Sequence, residues 1–439
     1  MANNKRKVVL LLVVAVFLAV ALVQVVRMKR NSPGKTDLDY IRLVPEIMQM
    51  IKQKYVEEVS DKKLVEGAIN GMLAALDPHS AYLPADSFRE MNIQITGSFG
   101  GLGLEVNLID GRLTVISPID DTPAFRAGIK SGDVIWKIDE KLTRNLNITE
   151  AVNRMRGPKG TRVTLTILRK KAPKPLVFNL VRDIINTKSV RARTLEPGYG
   201  YVRISHFQER SDQEFGAALQ TLRRANGGTL KGLVIDLRNN PGGLLEQVVD
   251  IAGHFIDAGS NKGLIVYTEG REESSRMSLT AGTDGKEPRY PVVVLINGGS
   301  ASASEILAGA LQDHKRAVVM GTQSFGKGSV QSIFPLAGGA GLKLTTALYY
   351  TPKGRSIQAK GITPDIIVGN GEIAAAPATK GPEIRERDLE NHIEESGVEP
   401  GVEEPAPAGK PDGKGLKDYQ LARALDLLKG MQIISKESK

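Results

Sequence analysis

Val292-Val293-Val294-Leu295-Ile296-Asn297-Gly298-Gly299-Ser300-Ala301-Ser302-Ala303-Ser304-Glu305 is the stretch on which the fold turns. Its first five residues are the continuous apolar run of a strand buried on both faces. Ala303 to Gln312 then carries the small and apolar residues of a helix. A strand, a tight polar turn and a helix in that order aim a serine outward at the helix start, where free backbone N–H groups can receive an oxyanion. Ser300, Ser302 and Ser304 all lie in the run, and composition does not choose among them. Ser302 is best placed at the turn, with Ser304 as an N-cap alternative.

A serine hydroxyl attacks a carbonyl only when an adjacent base takes its proton. The base candidate is Lys327 in Phe325-Gly326-Lys327-Gly328-Ser329-Val330-Gln331, 25 residues after Ser302 (327 − 302 = 25). A lysine is a base only when neutral: with a pKa of about 10.4 roughly 0.04% is neutral at pH 7, whereas burial that brings it to roughly 7.5 leaves about a quarter neutral. The flanking glycines let the backbone approach closely, so that the amine can be held away from water.

A Ser-His-Asp arrangement is the alternative, because Asp313-His314 follows closely. On a helix from Ala303, His314 lies about 18 Å along the axis from Ser302, too far to share its proton. His79, His206, His254 and His392 show no metal-ligand spacing and are expected to be structural or solvent-facing; there is no cysteine. No metal or other cofactor is expected.

Val234-Ile235-Asp236-Leu237-Arg238-Asn239-Asn240-Pro241-Gly242-Gly243-Leu244-Leu245 repeats the pattern of a buried strand running into a glycine turn. Such glycines let backbone N–H groups reach a reacting carbonyl without a Cβ in the way.

The strings NGGSASASEILAGALQDHKRAVVMG and SFGKGSVQ resemble the carboxyl-terminal processing peptidases, serine proteases with a Ser-Lys dyad. The resemblance implies Ser302 as nucleophile, Lys327 as base and Gln331 as the residue orienting the lysine, one helical turn on if that segment is helical. It implies oxyanion donors from Gly242 or Gly243 and from the Ala303 N–H. It also implies an α/β crotonase-like (ClpP/crotonase spiral) protease core, with a β-rich PDZ domain inserted after an N-terminal helical region.

The PDZ expectation has its own residues. From Thr96 to about Asp183 short β-branched runs alternate with glycine turns. Gly101-Leu102-Gly103-Leu104-Glu105-Val106, followed by Ala127-Gly128-Ile129 and Gly132-Asp133-Val134-Ile135, looks like a PDZ domain. In such a domain the glycine loop, here Gly101, Leu102, Gly103 and Leu104, presents N–H groups to a peptide's terminal carboxylate while the peptide adds a strand to the sheet edge.

The remaining sequence sets the organisation. Its 439 residues, 41% hydrophobic and 25% charged, make several domains. The net charge of +10 owes much to Lys5, Arg6, Lys7, Arg27, Lys29 and Arg30, which flank an apolar stretch from Val8 to Val26. With 5% aromatics and otherwise interleaved charge, nucleic acid is not an expected partner. The apolar stretch is long enough to span a bilayer, and because its apolar run continues past the small-x-small site Ala19-Val20-Ala21 an uncleaved membrane anchor is expected. That places the chain in the periplasm or otherwise outside the cytoplasm, tethered to the inner membrane. The expected domains are an anchor at 1–30, a helical region at 31–93 with a possible role in a homodimer, the PDZ domain at 94–184 and the protease core at 185–370. An Ala, Pro, Glu and Gly-rich linker at 371–413 and a C-terminal helix at 414–439 complete them.

The function expected from these readings is hydrolysis of peptide bonds in protein substrates whose free, apolar C-termini the PDZ domain recognises. The rival is a non-catalytic adaptor that only captures such tails.

Overall fold

A computed structural model describes residues 37–170, 172–259, 261–282, 287–369 and 418–437. The chain forms two compact units, Met1–Tyr82 and Leu83–Lys439. In the first, helices α1 (Asp37–Lys54) and α2 (Asp61–Ala74) carry apolar residues at three- and four-residue spacing. Ser60 caps α2, its hydroxyl accepting the Lys63 N–H at 3.3 Å. Beyond α2, Asp77 Oδ1 accepts the N–H groups of His79 and Ser80 at 2.7 and 2.8 Å, which closes the turn at Asp77-Pro78-His79.

The second unit opens with α3 (Ala85–Thr96), ended by Gly97 in the left-handed conformation, φ +65°. Ser98–Gly101 then pairs antiparallel with Asp183–Asn186, so the chain enters and leaves the intervening segment through one two-stranded ribbon. Between them an antiparallel sheet runs in chain order through β1 (Leu104–Ile109), β2 (Arg112–Pro118), β3 (Val134–Ile138), β4 (Arg162–Leu168) and β5 (Leu176–Val181). Alternation in β4 turns Val163, Leu165 and Ile167 into a small core with Leu113, Val115 and Ile135. Helix α4 (Ile148–Met155) covers it, started by a capping box between Asn147 and Glu150.

The core sheet runs β6 (Val190–Glu196), β7 (Tyr199–Ile204), β8 (Gly232–Asp236), β11 (Val292–Ile296), β12 (Val318–Gly321) and β15 (Ile366–Ile367). Only β6 is antiparallel to its neighbour. Helices α5 (Ser211–Ala225), α6 (Leu245–Gly253) and α7 (Ala303–Asp313) pack on one face, and α8 (Tyr419–Glu437) on the other. This double cover explains why β8 and β11 are apolar without alternation. Val292, Val294 and Ile296 of β11 join the larger core, whereas Val293 and Leu295 meet Leu421, Ala424, Leu425 and Leu428 of α8. A second, antiparallel sheet places β13 (Ser329–Pro335), β14 (Gly341–Tyr350), β9 (Leu264–Gly270) and β10 (Met277–Thr280) side by side.

Two expectations need correction. The core is not a crotonase-like spiral: β7, β8, β11 and β12 lie in chain order in one open sheet, and the chain leaves it for a separate antiparallel sheet. Buried apolar strands joined by crossover helices satisfy their backbone and both faces in that open arrangement, and their local sequences do not encode a spiral. The membrane tether, with the transmembrane assignment, membrane partner and inner-membrane location that rested on it, is likewise corrected. Among the described residues no helix is long and apolar enough to cross a membrane, and Val8 to Val26 lies outside them.

Candidate active site

The two glycine turns seen in the sequence are stitched together. Asn297 Oδ1, just past β11, accepts the N–H groups of Gly299 at 3.0 Å and of Asn239 at 2.9 Å. The Asn240 carbonyl, past β8, accepts the Ala301 N–H at 3.0 Å and the Ser304 hydroxyl at 2.9 Å. Ser300 donates to the Leu237 carbonyl at 2.8 Å. Ser300 and Ser304 are therefore fully buried and occupied by the backbone. Ser302 differs: it sits at φ 56°, ψ −118°, a strained conformation for a residue with a Cβ, and lines a cleft of about 490 Å³.

Lys327 reaches the same cleft because a buried carboxylate clamps its loop to the serine turn. Glu305, 0% exposed, accepts from the Ser302 N–H at 2.7 Å and the Lys327 N–H at 2.9 Å through one oxygen. Its other oxygen accepts from the Gly326 N–H at 2.7 Å and the Ser324 hydroxyl at 2.6 Å. Burial pushes the Glu305 pKa above 4.5, while these four donors pull the other way. Tyr349, on β14, donates its hydroxyl to the Lys327 carbonyl and shares a hydrogen bond with the Ser302 side chain. Burial drives this phenol's pKa upward, so it stays protonated.

Gln331 lies on strand β13, not on a helix as its four-residue spacing from Lys327 suggested. A bulge between Val330 and Gln331 shifts the register and re-aims the side chain. Its amide nitrogen donates to Thr345 Oγ1 at 2.8 Å and Ser329 Oγ at 3.2 Å. Its Oε1 is buried with no hydrogen-bond partner among the described residues, an acceptor left open at the cleft.

Gly242 and Gly243 also line the cleft. The Gly242 N–H is taken up by Asn240 Oδ1 at 2.9 Å, whereas no acceptor for the N–H of Gly243 or Ala303 is found among the described residues. Both glycines have positive φ, 106° and 143°, and a Cβ on Gly243 would stand 2.1 Å from the Phe207 carbonyl.

The histidines divide. His314 Nε2 faces the Leu264 carbonyl at 2.7 Å and His254 Nε2 faces Asp212 at 2.9 Å, both away from the cleft, while His392 lies outside the described residues. His206, expected to be structural or solvent-facing, lines the cleft, and burial lowers its pKa so that it is neutral at pH 7. No cluster able to hold a metal occurs among the described residues. Sequence reasoning missed Glu305, Tyr349 and Thr345. The first had a signal, the S-x-x-E spacing from Ser302; the other two are brought in by strand pairing and had none.

Residues 198–368 match the family model of peptidase family S41, 100–180 that of a PDZ domain and 21–87 that of the activating protease CtpB N-terminal domain. The carboxy-terminal-processing protease of Bartonella bacilliformis is 44% identical over 428 residues, covering 96% of each chain. The carboxyl-terminal-processing protease of Synechocystis is 38% identical over 344 residues, 76% of this chain and 78% of its own. The chain belongs to the carboxyl-terminal processing proteases of family S41. It is a serine endopeptidase that processes C-terminal tails by way of a PDZ domain. Its fold is of the S41 type with a PDZ insertion, in place of the expected spiral. A solved structure, the photosystem II D1 C-terminal processing protease, aligns over 73% of this chain and 86% of its own at 29% identity, with a TM-score of 0.43.

In the PDZ domain of this protease, Gly101 ends the ribbon strand and Leu102 and Gly103 form the loop into β1. The Leu102 carbonyl accepts the Ala124 N–H and the Gly103 carbonyl the Ile119 N–H, each at 2.9 Å. The carbonyls are thus turned inward, and no acceptor for the N–H of Leu102 or Gly103 is found among the described residues. Gly103 requires its glycine: φ is +77° and a Cβ would meet Thr122 at 2.2 Å.

Proposed function

We propose that Ser302 is the nucleophile of this protease and Lys327 its general base, with peptide hydrolysis passing through an acyl-enzyme on Ser302. Lys327 takes the hydroxyl proton as Oγ attacks the scissile carbonyl, then returns it to the leaving amine. Gln331 offers its open Oε1 to the lysine amine and so fixes its direction. The N–H groups of Ala303 and Gly243 receive the oxyanion; Gly242 would first have to leave Asn240. The loop from Gly101 through Leu104 holds the carboxylate of an apolar C-terminal tail. The PDZ domain is assigned to 94–184 and the core to 185–370, with the ribbon as their joint.

One observation carries this reading: of the three clustered serines, Ser302 alone opens onto the cleft that Lys327 and Gln331 share. The neutral His206 in the same cleft supplies the competing base, and mutation separates the two. With an unstructured protein ending in apolar residues as substrate, Ser302→Ala and Lys327→Ala are each expected to lose at least about 10³-fold in kcat/KM, because groups acting as a unit fail together. His206→Gln is expected to lose far less. Full loss in His206→Gln with near-normal turnover in Lys327→Ala would transfer the base role to the histidine.

A further inference from the structure

The cleft at Ser302 is not a closed chamber. It shares Met91, Gln94 and Lys343 with a second groove of about 690 Å³ that runs between α3 and the PDZ helix α4, where Ile148 and Val152 line it. The two form one path from the PDZ domain to the nucleophile, and Lys343 stands at their junction. The other charges of the groove are already matched. Glu90 pairs with Arg156, and Asp86 pairs with Arg89 at 2.7 Å. Lys343, half-buried beside these apolar walls, has no ion pair among the described residues, and Glu246 at the α6 side of the cleft does not supply one.

The strand register places the Lys343 backbone relative to the residue that holds Gln331. Thr345, which holds the Gln331 amide, pairs across from Gln331, and Lys343 pairs across from Ile333. Lys343 and Thr345 are two residues apart on β14 and share a face, a separation of about 7 Å. An extended substrate advances about 3.3 Å per residue. A peptide whose C-terminus heads for the PDZ domain therefore brings its second or third residue beyond the cleaved bond to Lys343. A partly desolvated cation with no ion pair among the described residues favours an anion at that point.

We propose that Lys343 binds a carboxylate carried by the substrate on the C-terminal side of the scissile bond. The carboxylate is either an acidic side chain at the second or third position after the cut or the free terminus of a short tail. The assignment rests on the reading of Ser302 and of the PDZ direction given above. It makes Lys343 a specificity residue whose contribution appears as a ratio between matched substrates.

The test uses the full chain and peptide pairs that differ only in charge. One pair exchanges Asp for Asn at the second and third positions after the cut; another ends there as a free acid or as an amide. Wild type is expected to favour the charged member by about three- to tenfold in kcat/KM. Lys343→Arg is expected to keep that ratio, Lys343→Gln to bring it to about one and Lys343→Glu to invert it. An effect confined to the Asp/Asn pair identifies a side chain, and one confined to the acid/amide pair identifies the terminus. Binding of the same labelled peptides to Ser302→Ala, with and without Lys343→Gln, reads the preference without turnover, so a failure of the serine assignment shows separately as cleavage that survives Ser302→Ala. Equal handling of charged and neutral partners by wild type, or a preference that persists in Lys343→Gln, overturns the proposal.

Discussion

Glu305 shows how one residue can carry a site without touching substrate. Two of its four donors are the backbone N–H groups of Ser302 and Lys327, the members of the dyad proposed here, so the carboxylate sets the distance between two loops far apart in sequence. Glu305→Gln replaces one acceptor oxygen by a donor that faces N–H groups. Such a mismatch costs about 1–3 kcal/mol for a buried charged hydrogen bond and moves the dyad, and kcat is expected to fall at least about 10²-fold with little change in KM. Acid acts on the same group. Because burial raises the carboxyl above 4.5, its protonation begins above that pH, freeing the two loops and producing an acid limb in kcat. Stability moves the other way. A raised folded-state pKa means the native state holds this proton more tightly than the unfolded chain, so the contribution is fully present below 4.5 and is lost as pH rises through the folded value. A pH series of kcat and of urea unfolding for wild type and Glu305→Gln checks both signs. A Glu305-linked stability that falls together with activity on acidification would contradict this account.

At the scale of the element, the C-terminal helix α8 closes the far face of the core sheet and is held by charge as well as by packing. Arg238, at the end of β8, bridges Asp236 and Asp418 with contacts of 2.7 and 2.6 Å. Asp236 is 0% exposed and also accepts from the Tyr201 hydroxyl at 2.7 Å, which together with burial raises that phenol to about 12. Arg238→Met takes the two-pronged partner from a buried carboxylate that keeps Arg203 at 3.4 Å and the Tyr201 hydroxyl, and is expected to cost about 1.5–3 kcal/mol in urea unfolding, whereas Asp418→Asn, at a half-exposed partner, is expected to cost about 1 kcal/mol or less. Equal losses for the two would show that the pair to α8, not the buried Asp236, dominates. The strands and helices bordering the site were legible in the sequence because each is a local pattern: Val292–Ile296 and the run that begins at Val234 read as buried strands, and they lie in β11 and β8. The position of Gln331 was not. A four-residue spacing is one turn of helix, but a bulged strand presents the same side chain to the same cleft. Strand order escaped for a related reason, since pairing partners lie tens of residues apart and no local propensity names them. Tyr349 reaches Ser302 only through β14, and nothing within its own neighbourhood marks it.

For the whole molecule, the decisive feature is how the PDZ domain is spliced in. Ser98 pairs with Asn186 and Gly101 with Asp183, so the entry and exit of the insertion are hydrogen-bonded neighbours, about 5 Å apart. The insertion can therefore move or be removed without pulling the ends of the core apart. Its own interior, built on residues such as Leu113, Ile135 and Leu165, forms a cluster separate from the core that holds Ser302. Joining Gly101 to Asp183 through an Asn-Gly turn, the shortest connection that suits an antiparallel pair, should leave the cleft at Ser302 standing. What is lost is the N–H loop from Leu102 through Leu104 and the wall that α4 gives to the groove leading to Lys343. The shortened chain is expected to cut an unstructured substrate at a measurable rate and, for cuts too far from the end for the terminus to reach Lys343, with the same kcat/KM whether the substrate's C-terminus is apolar, charged or amidated. The intact chain is expected to distinguish these tails, so that the comparison reads tail selection apart from chemistry. Tail discrimination that survives the excision would relocate recognition to the cleft itself. A cleft that needs the PDZ domain for its geometry would instead lose turnover altogether while the shortened chain remains folded by circular dichroism.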